Sequence, residues 1–513
     1  MLLYFLVVAP LWMLSGLVRA EVWPSFSDEM IYAIRSQRDL MQNISIDQVP
    51  LPGLALRNSL PGSIVSNETE SLTTILSLLH HGIQSFRVDL TFNSSAGEWF
   101  LEGTNIRFVK MLNTVNLFVM ATNTNLDANV LTILLRFDND TLRNSNAIKE
   151  ANFTAILEEG LSPGYVYSIA DLERDRELNQ TLSINGYSDT GWVGLSRFLF
   201  DVKKRVVFGF LNGDELFSED DQNNLVFPSK TFHYVTASNN ITCPLNNVED
   251  IMRVSQIQWR FLEGNFSYEN YLHYLECGYS LILTNPIDMR NDSSEGTSLQ
   301  RHLSSLLLWS WNATVPDDKL DESEDSDDSE SSSTSQYIAY RCGAFSYNDY
   351  EDLDPFKIGN CYRSLPYLCR FSDRAYFWNI SEDTGTYFES DDKDMCPTGY
   401  KFGVPRTPLQ QRSLRIHLND MDIDNLDFWI DINSISVSNC WITGGPYASC
   451  PYQKYGSRRN YIAMTVPTSA IALVLLLVIF YFNWVHVPIQ DNRNNWKRII
   501  NAYSKEEVEG VPS

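Results

Sequence analysis

The stretch Gln84–Phe92, QSFRVDLTF, places apolar side chains at 86, 88, 90 and 92 and polar ones between them. That period of two is the signature of a strand. It stands between segments of a different period. Thr73–His81 (TTILSLLHH) and Arg107–Ala121 carry apolar residues at helical spacing. Val130–Phe137 (VLTILLRF) is nearly all apolar, as in a strand covered on both faces. Further on, Tyr165–Ile169 reads as a short strand and Gly194–Val202 as a helix. Arg205–Phe210 (RVVFGF), Gln256–Leu262 and Ser280–Thr284 (SLILT) continue the rhythm. Strands alternating with helices predict an α/β domain with a parallel sheet, and over residues 21–315 a TIM-type (β/α) barrel.

Outward from the barrel the composition changes twice. Residues 316–336 (PDDKLDESEDSDDSESSSTSQ) hold one large apolar side chain, Leu320, in a block of acid and serine. Such a segment cannot bury enough surface to offset its ordering entropy and is expected to be a disordered linker; a cation-binding or phosphorylated tract is the alternative. Residues 337–455 carry six of the eight cysteines, many aromatics and short alternating runs, the character of a disulfide-stapled module. Ile462–Phe482 (IAMTVPTSAIALVLLLVIFYF) has no charge and is long enough to cross a membrane. Residues 484–513 form a short tail in which Trp496–Tyr503 could be an amphipathic helix lying on the membrane, or an ordinary juxtamembrane helix or disordered.

The other end of the chain sets the expected orientation. Residues 1–20 are apolar and end Val18-Arg19-Ala20, which reads as a cleaved secretory signal. Signal first and span last predicts a type I membrane protein with residues 484–513 cytosolic. Glycosylation sequons stand at Asn43, Asn67, Asn93, Asn139, Asn152, Asn179, Asn240, Asn265, Asn291, Asn312 and Asn379, all on the proposed lumenal side. The cysteines, Cys243, Cys277, Cys342, Cys361, Cys369, Cys396, Cys440 and Cys450, lie there too. Their even number suggests disulfides, with Cys243–Cys277 in the first domain and three bridges among the other six. No CxxC pair supports a zinc site. A formal net charge of −25 argues against a direct nucleic-acid partner.

Three places resemble the phosphatidylinositol phospholipase C-like phosphodiesterases: Ser36–Ser59 with Leu51-Pro52-Gly53 and Asn58-Ser59, His81–Asp89 (HGIQSFRVD), and Gly194–Phe210 (GLSRFLFDVKKRVVFGF). The resemblance implies general acid–base chemistry by two histidines, with an arginine for the phosphoryl charge. Here the first histidine's place falls to Ala55 or Arg57, the arginine's to Thr91 and the second histidine's to Glu102. Neither alanine nor arginine exchanges protons near pH 7, and a glutamate repels phosphate. A degenerate, non-catalytic barrel is therefore expected. Two other groups are possible substitutes. His80 and His81 are adjacent and point apart on a helix. Asp138 and Asp140 end a strand, where barrel catalytic residues gather, but such clusters are also common capping residues.

The cysteine-rich module resembles C-type-lectin-like domains through Cys396–Phe402 (CPTGYKF), the helix Gln411–Leu418, Phe428–Asp431 (FWID), Cys440-Trp441 and Cys450. That family's calcium-binding triplets are absent, and Asp431 and Asn433 are the nearest substitutes. A third resemblance covers nearly the whole chain. Arg35–Asp39 (RSQRD), Ile435–Trp441 (ISVSNCW), Gly444–Pro451 (GGPYASCP) and Glu509–Ser513 (EGVPS) are similar to the fungal maintenance of telomere capping protein 6 family. The resemblance implies a contribution to telomere capping, which the expected topology would make indirect. The fold expected is α/β: a degenerate TIM-type (β/α) barrel, an α+β disulfide-stapled lectin-like module and one C-terminal transmembrane helix. No cofactor is expected. The partners expected are the membrane and a lumenal protein or glycan, in the endoplasmic reticulum and nuclear envelope, the vacuole or the cell surface. The alternatives are a phosphodiesterase or hydrolase using other carboxylates, and a lumenal glycan- or cargo-binding receptor.

Overall fold

The structure, a computed structural model, describes residues 28–60, 68–143, 153–183, 186–214, 217, 224–236, 241–284, 307–311, 340–348, 356–392, 395–423, 425–452, 458–486 and 489–506. The expected signal (1–20) and acidic linker (316–336) lie outside the described residues. Met1–Tyr452 forms one compact unit and Gln453–Ser513 a second.

The first unit opens with helix α1 (Asp28–Leu40), followed by eight barrel strands in chain order. These are β1 (Gly53–Ala55), β2 (Ser85–Asn93), β3 (Leu131–Phe137), β4 (Val206–Phe210), β5 (Val226–Phe227), β6 (His233–Val235), β7 (Arg260–Gly264) and β8 (Ser280–Leu283). They pair in the order β6-β7-β8-β1-β2-β3-β4-β5, every pair parallel. Among the described residues β5 and β6 do not pair, so the ring is open at one seam and the barrel is partial. Helices α2 (Glu68–His80), α3 (Phe108–Ala121), α4 (Phe153–Gly160), α5 (Ile169–Glu177), α6 (Val248–Ser255) and α7 (Tyr268–Glu276) fill the crossovers. The alternation of QSFRVDLTF separates two buried faces rather than core from water. Phe86, Val88 and Leu90 join the apolar core, while Ser85, Arg87 and Asp89 are also buried and bond to neighbouring strands.

One segment departs from the sequence reading. Tyr165–Ile169 is not a strand. Val166 makes one isolated bridge to Val206, and α5 begins at Ile169. Ser168 and Asp171 form a capping box that starts that helix, a local signal stronger than the short apolar run. Gly194–Val202 is helical as read, over residues 195–201, but its Arg197–Asp201 part winds as a π-helix, and it ends before Lys203 at φ +55°.

The cysteine-rich sheet comprises β9 (Tyr340–Asn348), β10 (Phe356–Asn360), β11 (Leu365–Phe371), β12 (Trp378–Gly385), β13 (Tyr400–Phe402) and β14 (Asn425–Asn433). Its order is β10-β9-β14-β11-β12, with β13 also on β11. Disulfides join Cys243 to Cys277 in the barrel, and Cys342 to Cys361, Cys369 to Cys396 and Cys440 to Cys450 in this module. Helix α8 (Pro408–Asp420) is started by Thr407, whose side chain accepts the Gln410 N–H. Its apolar residues Leu409, Leu414 and Ile416 belong to the same core cluster as Leu272 and Leu275 of α7. Barrel and module therefore share one core although their sheets are separate.

A polar clamp ties the ends of this unit together. Gln37 of α1 donates to Leu307 O (2.9 Å) and accepts from Trp309 N (2.9 Å), while Trp311 Nε1 donates to Ser36 Oγ (3.0 Å). Trp311 then packs on Phe356 of β10 and on Trp441. Arg38 is ion-paired to Asp39 (2.9 Å) and donates to the Leu126 and Ala128 carbonyls before β3. Tyr452 at the end of the unit takes a bond from Arg38 and gives one to Asp39 (2.6 Å).

In the second unit, α9 (Arg458–His486) contains a 20-residue apolar stretch, Val466–Val485, whose side chains are exposed. At ~1.5 Å per residue it spans about 30 Å, enough for a bilayer core. Helix α10 (Ile489–Glu506) follows.

The clamp is open to test by denaturation of the detergent-solubilised full chain. Arg38→Met strands Asp39 without its cation and should cost ~3–5 kcal/mol, against about 1 kcal/mol for Tyr452→Phe. An Arg38→Met loss no larger than that of Tyr452→Phe would show that the clamp is not structural. A pH dependence follows from His417 on α8, whose Nε2 is buried with no hydrogen-bond partner among the described residues. Burial holds its pKa below the ordinary 6.5, against the opposing pull of Asp420. The unfolded chain therefore binds a proton that the folded chain resists. This part of the stability is present above pH 6.5 and is lost as pH falls through the lowered folded value. Unfolding midpoints measured from pH 7.5 downward should fall less steeply for His417→Gln; parallel curves would exclude the effect.

Candidate functional site

A barrel's chemistry is normally built at the C-terminal ends of its strands. The positions where the phosphodiesterase resemblance implies catalytic groups do meet at that end. Ala55 closes β1 and is fully buried. Arg57, on the turn that follows, pairs with Glu102 at 2.6 Å, and the Glu102 N–H donates to Asp89 O (2.8 Å). Thr91 lies on β2 opposite Phe100. The cavity bounded by Arg57, Asp89, Leu101 and Glu102 is about 10 Å³, at the lower limit for holding one water.

Beneath the Arg57–Glu102 pair the barrel interior is occupied by a second set of charges. Arg87 pairs with Glu263 on β7 and with Asp89 at 2.8 Å. Arg136 pairs with the other Asp89 oxygen at 2.6 Å, and Tyr234 on β6 donates to Glu263 at 2.6 Å. Burial pushes the Tyr234 phenol far above its ordinary range. Each carboxylate is thus held by a donor from an adjacent strand, and Arg87 of β2 reaches across β1 and β8 to Glu263 of β7. The arrangement joins β2, β3, β6 and β7, and among the described residues both of its carboxylates are paired.

The other sequence candidates are dispersed. His80 packs edge-on against Phe118 (5.2 Å), and His81 Nδ1 bonds Ser77 O (2.7 Å). Asp138 accepts the Thr141 N–H (2.9 Å) at the start of a short helical turn, and Asp140 faces Arg143. In the cysteine-rich module Asp431 and Asn433 hold a turn. Asp431 Oδ1 accepts the N–H groups of Gly444 and Gly445, both at 2.8 Å, and Asn433 Nδ2 donates to Gly445 O at 2.8 Å. Gly444 and Gly445 have φ of +118° and +76°, which only glycine adopts without strain. Burial raises the Asp431 pKa, opposed by those two N–H groups. Among the described residues no group of three or more His, Cys, Asp or Glu could hold a metal ion. Asn43, Asn93, Asn139, Asn179 and Asn265 are exposed and Asn379 is half-buried. Asn67, Asn152, Asn240, Asn291 and Asn312 lie outside the described residues.

A larger cavity, about 280 Å³, lies near the opposite end of the barrel, against the cysteine-rich module. Its lining includes Arg260 of β7, Arg370 of β11, Tyr376, and Arg406 and Thr407 at the start of α8. The sequence reading missed it, because its residues come from segments more than a hundred positions apart and form no local motif.

An open ring of parallel strands with helical crossovers, sharing a core with a disulfide-stapled sheet, defines a partial TIM-barrel protein. Residues 24–309 match the family model described as the MTC6 partial TIM-barrel domain. The chain belongs to the maintenance of telomere capping protein 6 family. A protein of that name from Kluyveromyces lactis is 97% identical over all of both chains. One from Saccharomyces cerevisiae is 37% identical over 98% of this chain and 94% of its own, and one from Zygosaccharomyces rouxii is 35% identical over 96% and 94%. Among solved structures, S. officinalis PLC21 matches with 10% identity and a TM-score of 0.29, covering 65% of this chain and 43% of its own. A likeness of that size carries no argument about chemistry.

If the Arg87 network is structural, Glu263→Gln should destabilise the full chain by ~3–5 kcal/mol, since it leaves buried Arg87 short of a counter-charge. Catalytic carboxylates commonly behave in the opposite sense, their removal leaving stability unchanged or higher. Equilibrium denaturation separates the two, and a Glu263→Gln variant as stable as wild type would make Glu263 a catalytic candidate.

Proposed function

We propose that the chain is a single-pass type I membrane glycoprotein of the secretory pathway whose barrel acts by binding and not by catalysis. The observation that carries the non-catalytic reading is the closed strand end: a cavity of about 10 Å³ sealed by Arg57–Glu102, with Arg87, Asp89, Arg136 and Glu263 paired beneath it. The membrane reading is supported by the apolar helix of α9. The four disulfides support an oxidising compartment. The exposed sequon asparagines are consistent with glycosylation.

In this reading the contribution to telomere capping suggested by the family name is indirect. The folded mass is separated from chromatin by a membrane. A lumenal face continuous with the nuclear envelope, or an effect through wall or lipid homeostasis, would connect the two. The lectin-like reading of the cysteine-rich module belongs to the same proposal, in a calcium-independent form, because Asp431 and Asn433 are engaged by the Gly444-Gly445 turn. A lumenal protein or a glycan is the partner class this suggests.

Two measurements test the proposal. In intact microsomes, protease should remove a C-terminal tag and spare the rest of the chain, whose mobility should increase after endoglycosidase treatment. A protected C-terminus, or unchanged mobility, contradicts the topology. The purified full chain should hydrolyse neither phosphatidylinositol nor glycerophosphodiesters, with or without calcium. Calcium-dependent turnover that disappears in Asp138→Asn would replace the binding reading with a hydrolase.

A further inference from the structure

We propose that the cavity between the barrel and the cysteine-rich module is an anion site, built on Arg370 and Arg406, that takes the phosphate group of a small phosphomonoester. It is remote from the closed strand end and does not depend on whether that end is catalytic.

Three arginines buried in this chain fill their guanidinium forks with protein acceptors. Arg38 donates to the Asn125, Leu126 and Ala128 carbonyls as well as to Asp39. Arg205 donates to the Val119, Thr122 and Asn129 carbonyls. Arg260, in the wall of the same cavity, donates to the Val254, Ile257 and Gly278 carbonyls and to Gln48 Oε1. In each case the guanidinium fork is filled with acceptors, as a desolvated cation requires. Arg370 and Arg406 break this pattern. Both are half-buried and both line the cavity, to which their guanidinium nitrogens are open. Neither guanidinium has a hydrogen-bond or ion-pair partner among the described residues. They are also close enough to repel one another: burial and Arg406 lower the Arg370 pKa to about 10, and burial lowers that of Arg406.

Other charges facing the pair do not satisfy it. Asp431 attracts both arginines, but its Oδ1 already accepts the Gly444 and Gly445 N–H groups. Asp373 is at the exposed rim. What the pair lacks is acceptor oxygens at short range, and a phosphate group supplies these in the planar geometry that guanidinium matches. Helix α8 adds to the site. It is 13 residues long, and Thr407, Pro408 and Leu409 at its start line the cavity. The positive end of that helix therefore faces the same volume as the two guanidiniums. At about 280 Å³ the cavity is near the lower end of ligand pockets, which suits a compact ester and not an extended chain.

Equilibrium dialysis of the detergent-solubilised full chain against labelled inorganic phosphate tests the site. Wild type should bind saturably, and Arg370→Gln with Arg406→Gln should weaken binding by about 100-fold, the loss expected for charge-assisted bonds from two guanidiniums. In phosphate-free buffer the double variant should fold and unfold near the wild-type temperature, the relief of repulsion between two like charges offsetting the lost attraction to Asp431. Competition by glycerol 3-phosphate supports a soluble ester; competition only by phosphatidic acid in phosphatidylcholine vesicles supports the same group on a lipid headgroup. Absence of phosphate binding by wild type overturns the proposal. So does binding retained by the double variant, or a double variant that fails to fold, which would make the pair structural.

Discussion

The buried contact of Arg38 and Asp39 with Tyr452 is the constraint on which the larger unit depends. It joins a residue of the first helix to the last described residue of the unit, across a sequence separation of 414 for Arg38. The adjacent Gln37 and Ser36 hold Leu307–Trp311, which leads from the barrel into the cysteine-rich sheet through Phe356 and Trp441. One turn of helix thus fixes the barrel, the exit from the barrel and the end of the second module. Buried charges are costly unless they are paired and hydrogen-bonded, so a network this complete tolerates little displacement of any partner. The RSQRD stretch, which in sequence only carried a family resemblance, is a clamp in the structure.

The barrel interior follows the same rule. Two arginines and two carboxylates lie among strands β2, β3 and β7, and Tyr234 of β6 is bonded to one of the carboxylates. Such a set is expensive to bury and adds less stability than an apolar core would, but it specifies which strands meet and at what register. Among the described residues these pairs and Arg57–Glu102 link neighbouring parts of that end, whereas Arg370 and Arg406 at the other end have no hydrogen-bond or ion-pair partner.

Much of the fold was legible. The period of Gln84–Phe92, the apolar run Val130–Phe137 and the spacing of Arg107–Ala121 gave the parallel barrel, because backbone hydrogen bonding ties those periods to strand and helix. The loss of histidine at Ala55, Arg57 and Glu102 was also readable, since a missing proton carrier is a property of the residue itself. Less legible was Tyr165–Ile169, where a short apolar run competes with capping chemistry. The shared core of barrel and module had no signature, since Leu272 and Leu414 show only that each belongs to an amphipathic helix.

Taken alone, the sequence determined the properties that reside in contiguous residues: strand and helix periods, an apolar span and the supply of cysteines. It did not determine which side chains face one another. Arg260, Arg370 and Arg406 look like ordinary charges along the chain, and only the packing of α8 against the barrel brings them to one cavity. The same holds for Arg87 and Glu263, or Asp39 and Tyr452, whose meaning comes from desolvation and pairing. Those quantities depend on distances between strands and helices, which local propensity does not encode.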